Sequence, residues 1–235
     1  MFSFEMKDSD PRWAGLSAVL EEWGVQTWVE TSFTEAELRS ASWLRLVPIR
    51  HIGIPEPESG EPDYRAVTYS RDGCEACGVG YRQTEPFRVK VPLKWGRFNV
   101  GQLYWVDEFF VLPRFWSSAF AKLRAFSRPV CHVNGDETKE VVQLSVEHVA
   151  CVDSSRLVGS RCEVCGSTKY AGNFAGMFPS IDAGVAASDA DFLRSDIWFG
   201  DGAEAARPIF CSQRAFRVLR EHQVRGVKFR PVEKL

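Results

Sequence analysis

The sequence predicts an α+β fold in which mixed, mostly antiparallel sheets are joined by a few short helices. Two observations support this class. From Tyr64 onward, short segments rich in β-branched and aromatic residues dominate, among them YRAVTYS, FRVKVP and EVVQLSV. Patterns with the helical period are few and cover only one to three turns. At 235 residues with 45% hydrophobic side chains, the chain is long enough to bury one large core.

The N-terminal elements follow from capping signals. Asp10 and Pro11 precede an apolar stripe that ends at Gly24, which predicts a first helix with Asp10 as its N-cap. A β-rich TWVETSF comes next. Thr34 and Glu37 form a capping-box pattern that predicts a second helix to about Leu44. RLVPIRHIGIP is expected to be extended, and PEPESGEP at 55–62 to be an exposed loop.

The remaining elements are predicted mainly as strands. YRAVTYS and FRVKVP flank the first of two cysteine motifs, and a helix is expected from about Pro113 to Leu123. PVCHV and EVVQLSV form two further strands around an Asn-Gly-Asp turn. The C-terminal block predicts strand PIFCS, a helix over about 213–222 and strand VKFRPV. A similar strand–helix–strand order follows the first motif, which suggests a degenerate duplication.

The cysteine motif occurs twice, as CEACG at 74–78 and CEVCG at 162–166. In each copy two thiols are separated by two residues and followed by a glycine that can adopt a positive φ. This is the pattern of a zinc knuckle, and two knuckles supply the four thiolates of a closed, structural Zn²⁺ site. The predicted ligands are Cys74, Cys77, Cys162 and Cys165. The site would staple together two distant parts of the α+β domain.

Three other interpretations of these cysteines stay open. A redox CxxC places its first cysteine at a helix N-terminus, and neither copy opens a convincing helix. Disulfides require an oxidising compartment, whereas the N-terminus MFSFEMKDSDPRW does not resemble a signal peptide. No apolar run approaches the roughly 18 residues that span a bilayer. A cytoplasmic location is therefore expected. A vestigial site without metal is the other alternative.

Charge is unevenly distributed along the chain. Residues 1–70 hold 12 acidic and 6 basic side chains, although the net charge of the whole chain is only −2. We expect an acidic N-terminal segment at 1–60, packed on a domain at 61–235 or continuous with it. Acidic surfaces suit basic partners. The candidate partner-binding residues lie in or beside the PEPESGEP loop: Glu56, Glu58, Glu61 and Asp63.

No catalytic motif is recognisable. The chain lacks a Walker A loop, GxSxG, HExxH and GxGxxG, and its four histidines are scattered. Asp107 and Glu108 are adjacent, so in a strand they would point to opposite faces and not act together. The sequence predicts no enzyme and no small-molecule substrate.

The two motifs and the closing block PIFCSQRAFRVLREHQVRGVKFRPV resemble the double-CxxCG proteins of bacteria, a family of myxobacterial swarm-inhibition immunity proteins. The resemblance covers the second half of the chain and the first knuckle by motif. It implies a non-catalytic, cytosolic antidote that binds and neutralises a cognate toxin encoded nearby. Only the four motif cysteines carry over residue by residue.

A second hypothesis is a zinc ribbon that binds nucleic acid or acts as a regulatory adaptor. Residues 203–235 contain eight basic and three acidic side chains. Nucleic-acid-binding domains usually have a pI above about 9, whereas this chain has a pI near 6.1. Nucleic-acid binding is therefore the less favoured of the two.

Overall fold

The structure, a computed structural model, describes residues 6, 10–24, 30–60, 62–172, 175–184 and 189–234. The chain divides into two compact units, Met1–Ser32 and Phe33–Leu235. The fold class is the predicted α+β class, with many short strands and few short helices.

The described part of the first unit contains helix α1 (Trp13–Glu22). The helix ends before Gly24, whose φ of +61° matches the predicted stop. The predicted N-cap is wrong, because Arg12 occupies that position and no side chain caps the helix. Asp10 instead accepts hydrogen bonds from the backbone and side chain of Arg12.

The described part of Phe33–Leu235 contains four helices: α2 (Glu35–Ser40), α3 (Tyr64–Thr68), α4 (Pro113–Ser118) and α5 (Gln213–Glu221). Helix α2 begins with the predicted capping box, in which Thr34 and Glu37 exchange backbone and side-chain hydrogen bonds. Helix α4 is extended by a 3₁₀ turn at Phe120–Lys122, in agreement with the predicted helix over 113–123. These helices are one to three turns long.

Helix α3 replaces the strand that was predicted for YRAVTYS. The carboxylate of Asp63 accepts a hydrogen bond of 3.0 Å from the Ala66 backbone N–H and so caps the helix. Tyr64 and Thr68, four residues apart, are the buried positions of the helix. The β-propensity of this segment was therefore overridden by a local cap and by burial of one helical face.

The strands of the described part of Phe33–Leu235 are β1 (Trp43–Pro48), β2 (His51–Gly53), β3 (Pro55–Glu56), β4 (Arg88–Val89), β5 (Val100–Leu103), β6 (Phe110–Val111), β7 (Phe126–Arg128), β8 (Cys131–His132), β9 (Val142–Ser145), β10 (Val149–Val152), β11 (Gly159–Arg161), β12 (Thr168–Tyr170), β13 (Ile181–Asp182), β14 (Phe192–Ser195), β15 (Trp198–Phe199), β16 (Ile209–Ser212) and β17 (Val227–Pro231). Within the described residues they form four sheets. The largest has the order β13, β10, β14, β16, β1, β17, and the next has the order β2, β5, β6, β9, β7. Two three-stranded sheets have the orders β11, β12, β15 and β3, β4, β8.

Strand β1 lies between β16 and β17 and pairs antiparallel with both. Its side chains alternate, so that Leu44 and Leu46 enter the main core while Arg45 lies on the other face. Strands β2 and β3 likewise pair with strands from beyond residue 60. Residues 43–56 are thus part of the same sheets as the C-terminal half, and the predicted division at residue 60 itself stays a prediction.

The C-terminal block folds as predicted, with β16, α5 and β17 in that order. Ser212 caps α5 by accepting a hydrogen bond from Ala215, and Phe216 and Leu219 are buried below the helix. The block after the first knuckle has the same order of elements. Its strands β6 and β7 both pair antiparallel with β9, as β16 and β17 both pair antiparallel with β1. The additional strand β8 lies in a different sheet. The likeness between the two blocks therefore includes the knuckles and the pairing of both flanking strands with one central strand.

Within the described residues, no helix combines the length and the apolarity needed to cross a lipid bilayer.

Candidate metal centre

The first knuckle lies at the tip of a loop whose base is closed by backbone pairing. Tyr69 forms an antiparallel bridge with Gln83, and the Ser70 N–H donates to the Arg82 carbonyl at 2.8 Å. The chain between these residues carries Cys74 and the remainder of CEACG outward. A knuckle at the tip of a closed loop presents its two thiols in one direction.

The second knuckle lies at the tip of a hairpin. Strands β11 and β12 pair antiparallel, with Arg161 opposite Thr168, and CEVCG occupies the turn between them. The Arg161 side chain donates to the Gly166 carbonyl at 3.1 Å and holds the turn from one side. Both knuckles therefore have the same setting, at the end of a short antiparallel pair.

The two knuckles also have matching backbone hydrogen bonds. Gly78 N–H donates to Cys74 C=O at 2.7 Å, and Gly166 N–H donates to Cys162 C=O at 2.9 Å. Cys74 N–H donates to Val79 C=O at 2.8 Å, and Cys162 N–H donates to the carbonyl five residues on at 2.9 Å. The φ angles are +77° at Gly78 and +75° at Gly166. The repeated sequence thus specifies one repeated turn.

The turns bring together the four cysteines that the sequence singled out. The Sγ atoms of Cys74 and Cys162 are 4.0 Å apart, and those of Cys77 and Cys165 are 3.6 Å apart. All four Sγ atoms lie within 4.8 Å of one another. Four thiolates bound at about 2.3 Å to one tetrahedral ion would lie about 3.8 Å apart. The cluster therefore has the donor type, number and spacing of a mononuclear metal site.

The thiols of the second knuckle are biased towards the thiolate form that binds metal. A hydrogen bond from Ser167 lowers the pKa of Cys165 to about 6. Backbone N–H groups of Cys165 and Val164 lower the pKa of Cys162. In the first knuckle, burial raises the pKa of Cys77 to about 12. The centre thus has one buried side and one side, at Cys165, that faces solvent.

The turn geometry argues against a redox role. A low-pKa redox cysteine sits at the N-terminus of a helix, where the helix dipole stabilises the thiolate. Here both motifs are in turns, and the residues that follow the second motif enter strand β12. The closest contacts also join one knuckle to the other. This arrangement favours a shared ion over two separate disulfides.

Lys169 has a structural role that no sequence motif predicts. It is 6% exposed, in strand β12. Its Nζ donates to three carbonyl oxygens, those of Cys77 at 3.0 Å, Gly202 at 2.7 Å and Glu204 at 2.8 Å. All three protons of a lysine ammonium are thereby used. No sequence signal marks this role, because the acceptors are backbone groups from distant segments.

The carboxylates predicted to contact a partner have different surroundings. Glu56 is 7% exposed and pairs with Lys90 at 2.8 Å, whereas Glu58 is exposed. Asp63 caps α3. Glu61 lies outside the described residues. Partner contact by these residues stays a prediction, and Glu58 is the one of the three described members whose side chain is exposed.

Asp107 and Glu108 lie in irregular chain before β6, so the strand geometry that was expected to separate them is absent there. Both reach the same guanidinium. Arg194 Nη2 lies 2.6 Å from Glu108 Oε2, and Arg194 Nη1 lies 3.5 Å from Asp107 Oδ2. Successive side chains point to opposite faces only in a strand. In irregular backbone the side chains of Asp107 and Glu108 can therefore point towards the same arginine.

Comparison with known proteins found no match: no family model matches the chain, and no curated protein matches it.

Proposed function

We propose that Cys74, Cys77, Cys162 and Cys165 hold one structural Zn²⁺ ion. The observation that carries this proposal is the approach of the four Sγ atoms to within 4.8 Å from two matching turns. Four thiolates in a tetrahedral arrangement are typical of zinc or iron–sulfur sites, and a cluster this tight accommodates a single ion. Four protein ligands leave no open position for a substrate, so the ion would act as a staple.

We further propose that the protein is an immunity protein that binds and neutralises a cognate toxin without catalysis. The support is the resemblance carried by the two CxxCG motifs and the C-terminal block, together with a metal centre that suits a structural role. The toxin would be the product of a neighbouring gene. The acidic N-terminal 70 residues would contribute to the contact surface.

The nucleic-acid alternative is less favoured because basic residues of the C-terminal block are engaged within the fold. Arg214 pairs with Asp191, which is 1% exposed. Arg220 pairs with Glu35 at 3.1 Å. An arginine held by a carboxylate is a weak phosphate ligand, because binding a phosphate would first break the existing pair.

Metal analysis of the purified protein tests the first proposal. We expect about one zinc per chain, with loss of zinc in Cys74→Ser and Cys165→Ser. Cys151→Ser is the matched control, since Cys151 is an exposed cysteine in β10, outside the cluster. Full zinc retention in Cys74→Ser, or iron in place of zinc, would contradict the proposal.

Co-expression with the neighbouring gene product tests the second proposal. We expect the neighbour to be toxic alone, to be harmless with this protein, and to co-purify with it. Glu58→Lys should weaken protection, because it reverses an exposed charge on the predicted contact loop. Glu85→Lys, at an exposed glutamate outside that loop, is the control. A harmless neighbour, or toxicity that persists with the wild-type protein present, would reject the antidote proposal.

A further inference from the structure

A cavity of about 820 Å³ lies beside the first knuckle, within the described part of Phe33–Leu235. Three chain segments form most of its wall: the stretch from α3 to Gln83, residues 104–109, and residues 198–209. Gly78 of the first knuckle and Gly80, two residues beyond it, also line the cavity. A cavity of this volume is in the range that holds small organic ligands.

The floor of the cavity is a buried ion-pair cluster. Glu108 and Arg194 are 7% and 6% exposed and form a contact of 2.6 Å. Asp107 lies 3.5 Å from Arg194 and accepts a hydrogen bond of 2.8 Å from the Arg207 backbone N–H. Burial raises the pKa of Glu108, and the neighbouring Arg194 opposes that shift. The carboxylates of Asp107 and Glu108 thus already interact with arginines of the protein.

The wall nevertheless has an excess of positive charge. Its arginines are Arg45, Arg65, Arg82, Arg128, Arg194 and Arg207, and its carboxylates are Asp107, Glu108 and Glu204. Among the described residues, Arg194 is the one of these six arginines that forms an ion pair with a carboxylate. Unpaired guanidiniums on a cavity wall favour the binding of an anion.

Arg207 is the best placed of the unpaired arginines. Its guanidinium lies 5.3 Å from the centre of the Trp198 ring, which orients it by a cation–π contact. Burial, and then the charge of Arg194, lower the pKa of Arg207. The charge of Arg207 is therefore partly desolvated. Asp107, Glu108 and Asp196 act on this charge from a distance, but among the described residues none of them forms an ion pair with the guanidinium.

Aromatic rings form the rim of the cavity. Trp105 is 51% exposed, although its backbone adopts a φ of +62°, which is costly for a bulky residue. Tyr64 stacks on Trp105 with ring centroids 6.3 Å apart. The adjacent Tyr104 is 47% exposed and stacks on His51 at 4.5 Å. A strained backbone that holds a half-exposed indole at a cavity mouth points to a ligand-binding role for that ring.

We propose that this cavity binds a small organic anion that carries a planar ring, with its carboxylate or phosphate group at Arg207 and its ring against Trp105. The proposed ligand site differs from the sequence-based expectation of a protein without a small-molecule substrate, and that expectation stays a prediction. It is independent of the antidote proposal, since the purified protein would bind the anion with no toxin present.

Ligand-observed NMR on the metal-loaded full-length protein tests the proposal. AMP and indoleacetate serve as anionic probes with planar rings, and adenosine and indoleacetamide are their uncharged counterparts. We expect saturation transfer to the ring protons of at least one anion and much weaker transfer to its uncharged counterpart. Arg207→Gln should weaken binding about tenfold, as expected for loss of a charge-assisted hydrogen bond.

Matched variants separate binding from folding. Arg217→Gln removes an exposed arginine of α5 that lies outside the cavity wall, and it should bind the probe like the wild type. Trp105→Asn removes the ring but tolerates the left-handed backbone, and it should weaken binding without loss of stability. Three results would each overturn the proposal: neither anion binds at millimolar concentration, the uncharged counterparts bind equally well, or Arg207→Gln and Trp105→Asn both bind like the wild type.

Discussion

Lys169 Nζ lies 3.0 Å from the carbonyl oxygen of Cys77, so the strand that leaves the second knuckle holds the backbone of the first. The same ammonium group binds the carbonyls of Gly202 and Glu204. One buried side chain thus joins both knuckles to the loop that leads to Arg207. The two halves of the metal centre are connected by this contact as well as by any ion.

We expect Lys169→Met to lower the free energy of unfolding by about 2 to 3 kcal/mol. The substitution keeps most of the apolar stem but removes the donor from one buried hydrogen bond, to Cys77, and from two partly buried ones, to Gly202 and Glu204. A buried group left unpaired costs about 1 to 3 kcal/mol, and a carbonyl that water can reach costs less. Chemical denaturation measures the change. Lys139→Met, at an exposed lysine, should be close to neutral. A Lys169→Met variant as stable as the wild type would show that water or other donors replace the ammonium.

The two knuckle glycines should respond differently to alanine. A Cβ at Gly78 would lie 2.5 Å from the Ala203 carbonyl oxygen, whereas a Cβ at Gly166 would meet nothing closer than the Arg161 side chain at 3.4 Å. Both positions have a positive φ, which alone costs about 1 to 2 kcal/mol for alanine. We therefore expect Gly166→Ala to cost about that amount and Gly78→Ala about 2 to 4 kcal/mol.

Thermal or denaturant unfolding of the two variants side by side measures this difference. The comparison has an internal control, since the sequence motif and the backbone conformation are the same in both knuckles. Equal costs would mean that the backbone near Ala203 moves away at little expense.

Removal of metal should destabilise the fold. Because ligand thiols must be deprotonated to bind, we expect chelation at neutral pH, or acidification, to release the ion and to lower the free energy of unfolding by more than about 3 kcal/mol. The lowered pKa of Cys165 and Cys162 implies that the second knuckle keeps its thiolates to lower pH than Cys77 does. Calorimetry with and without a chelator measures the loss. An unchanged melting temperature after complete removal of metal would rule out a structural role for the ion.

The strained backbone at Trp105 predicts an inverted order of two substitutions. At an ordinary position glycine is less stable than alanine by roughly 0.5 to 1 kcal/mol. At a φ of +62° we expect Trp105→Gly to be more stable than Trp105→Ala by about 1 kcal/mol, because only alanine meets the left-handed penalty. Unfolding measurements on both variants test this. The backbone φ of Tyr104 is not positive. At that position we expect the ordinary order, in which Tyr104→Ala is more stable than Tyr104→Gly.

Local signals in the sequence were sufficient for a defined part of this structure. The capping box at Thr34 and Glu37, the strand–helix–strand block that ends the chain, and the two knuckle turns all formed where they were predicted. Each depends on hydrogen bonds and backbone preferences within a few residues. The repeated CxxCG motif also indicated that its four cysteines share one site, because a repeated turn presents its thiols in a repeated way.

The other features of the fold were decided by tertiary structure, because they depend on which distant segments of the chain come into contact. The helix at Tyr64–Thr68 formed against its β-propensity because a cap and a buried face outweighed that preference. Lys169 acquired its role from carbonyls at residues 77, 202 and 204. Arg194 brought Asp107 and Glu108 together beneath a cavity that no local pattern encodes. The sequence by itself identified the four cysteines that cluster, whereas only the packing of the sheets placed Arg207 and the strained Trp105 on the wall of one cavity.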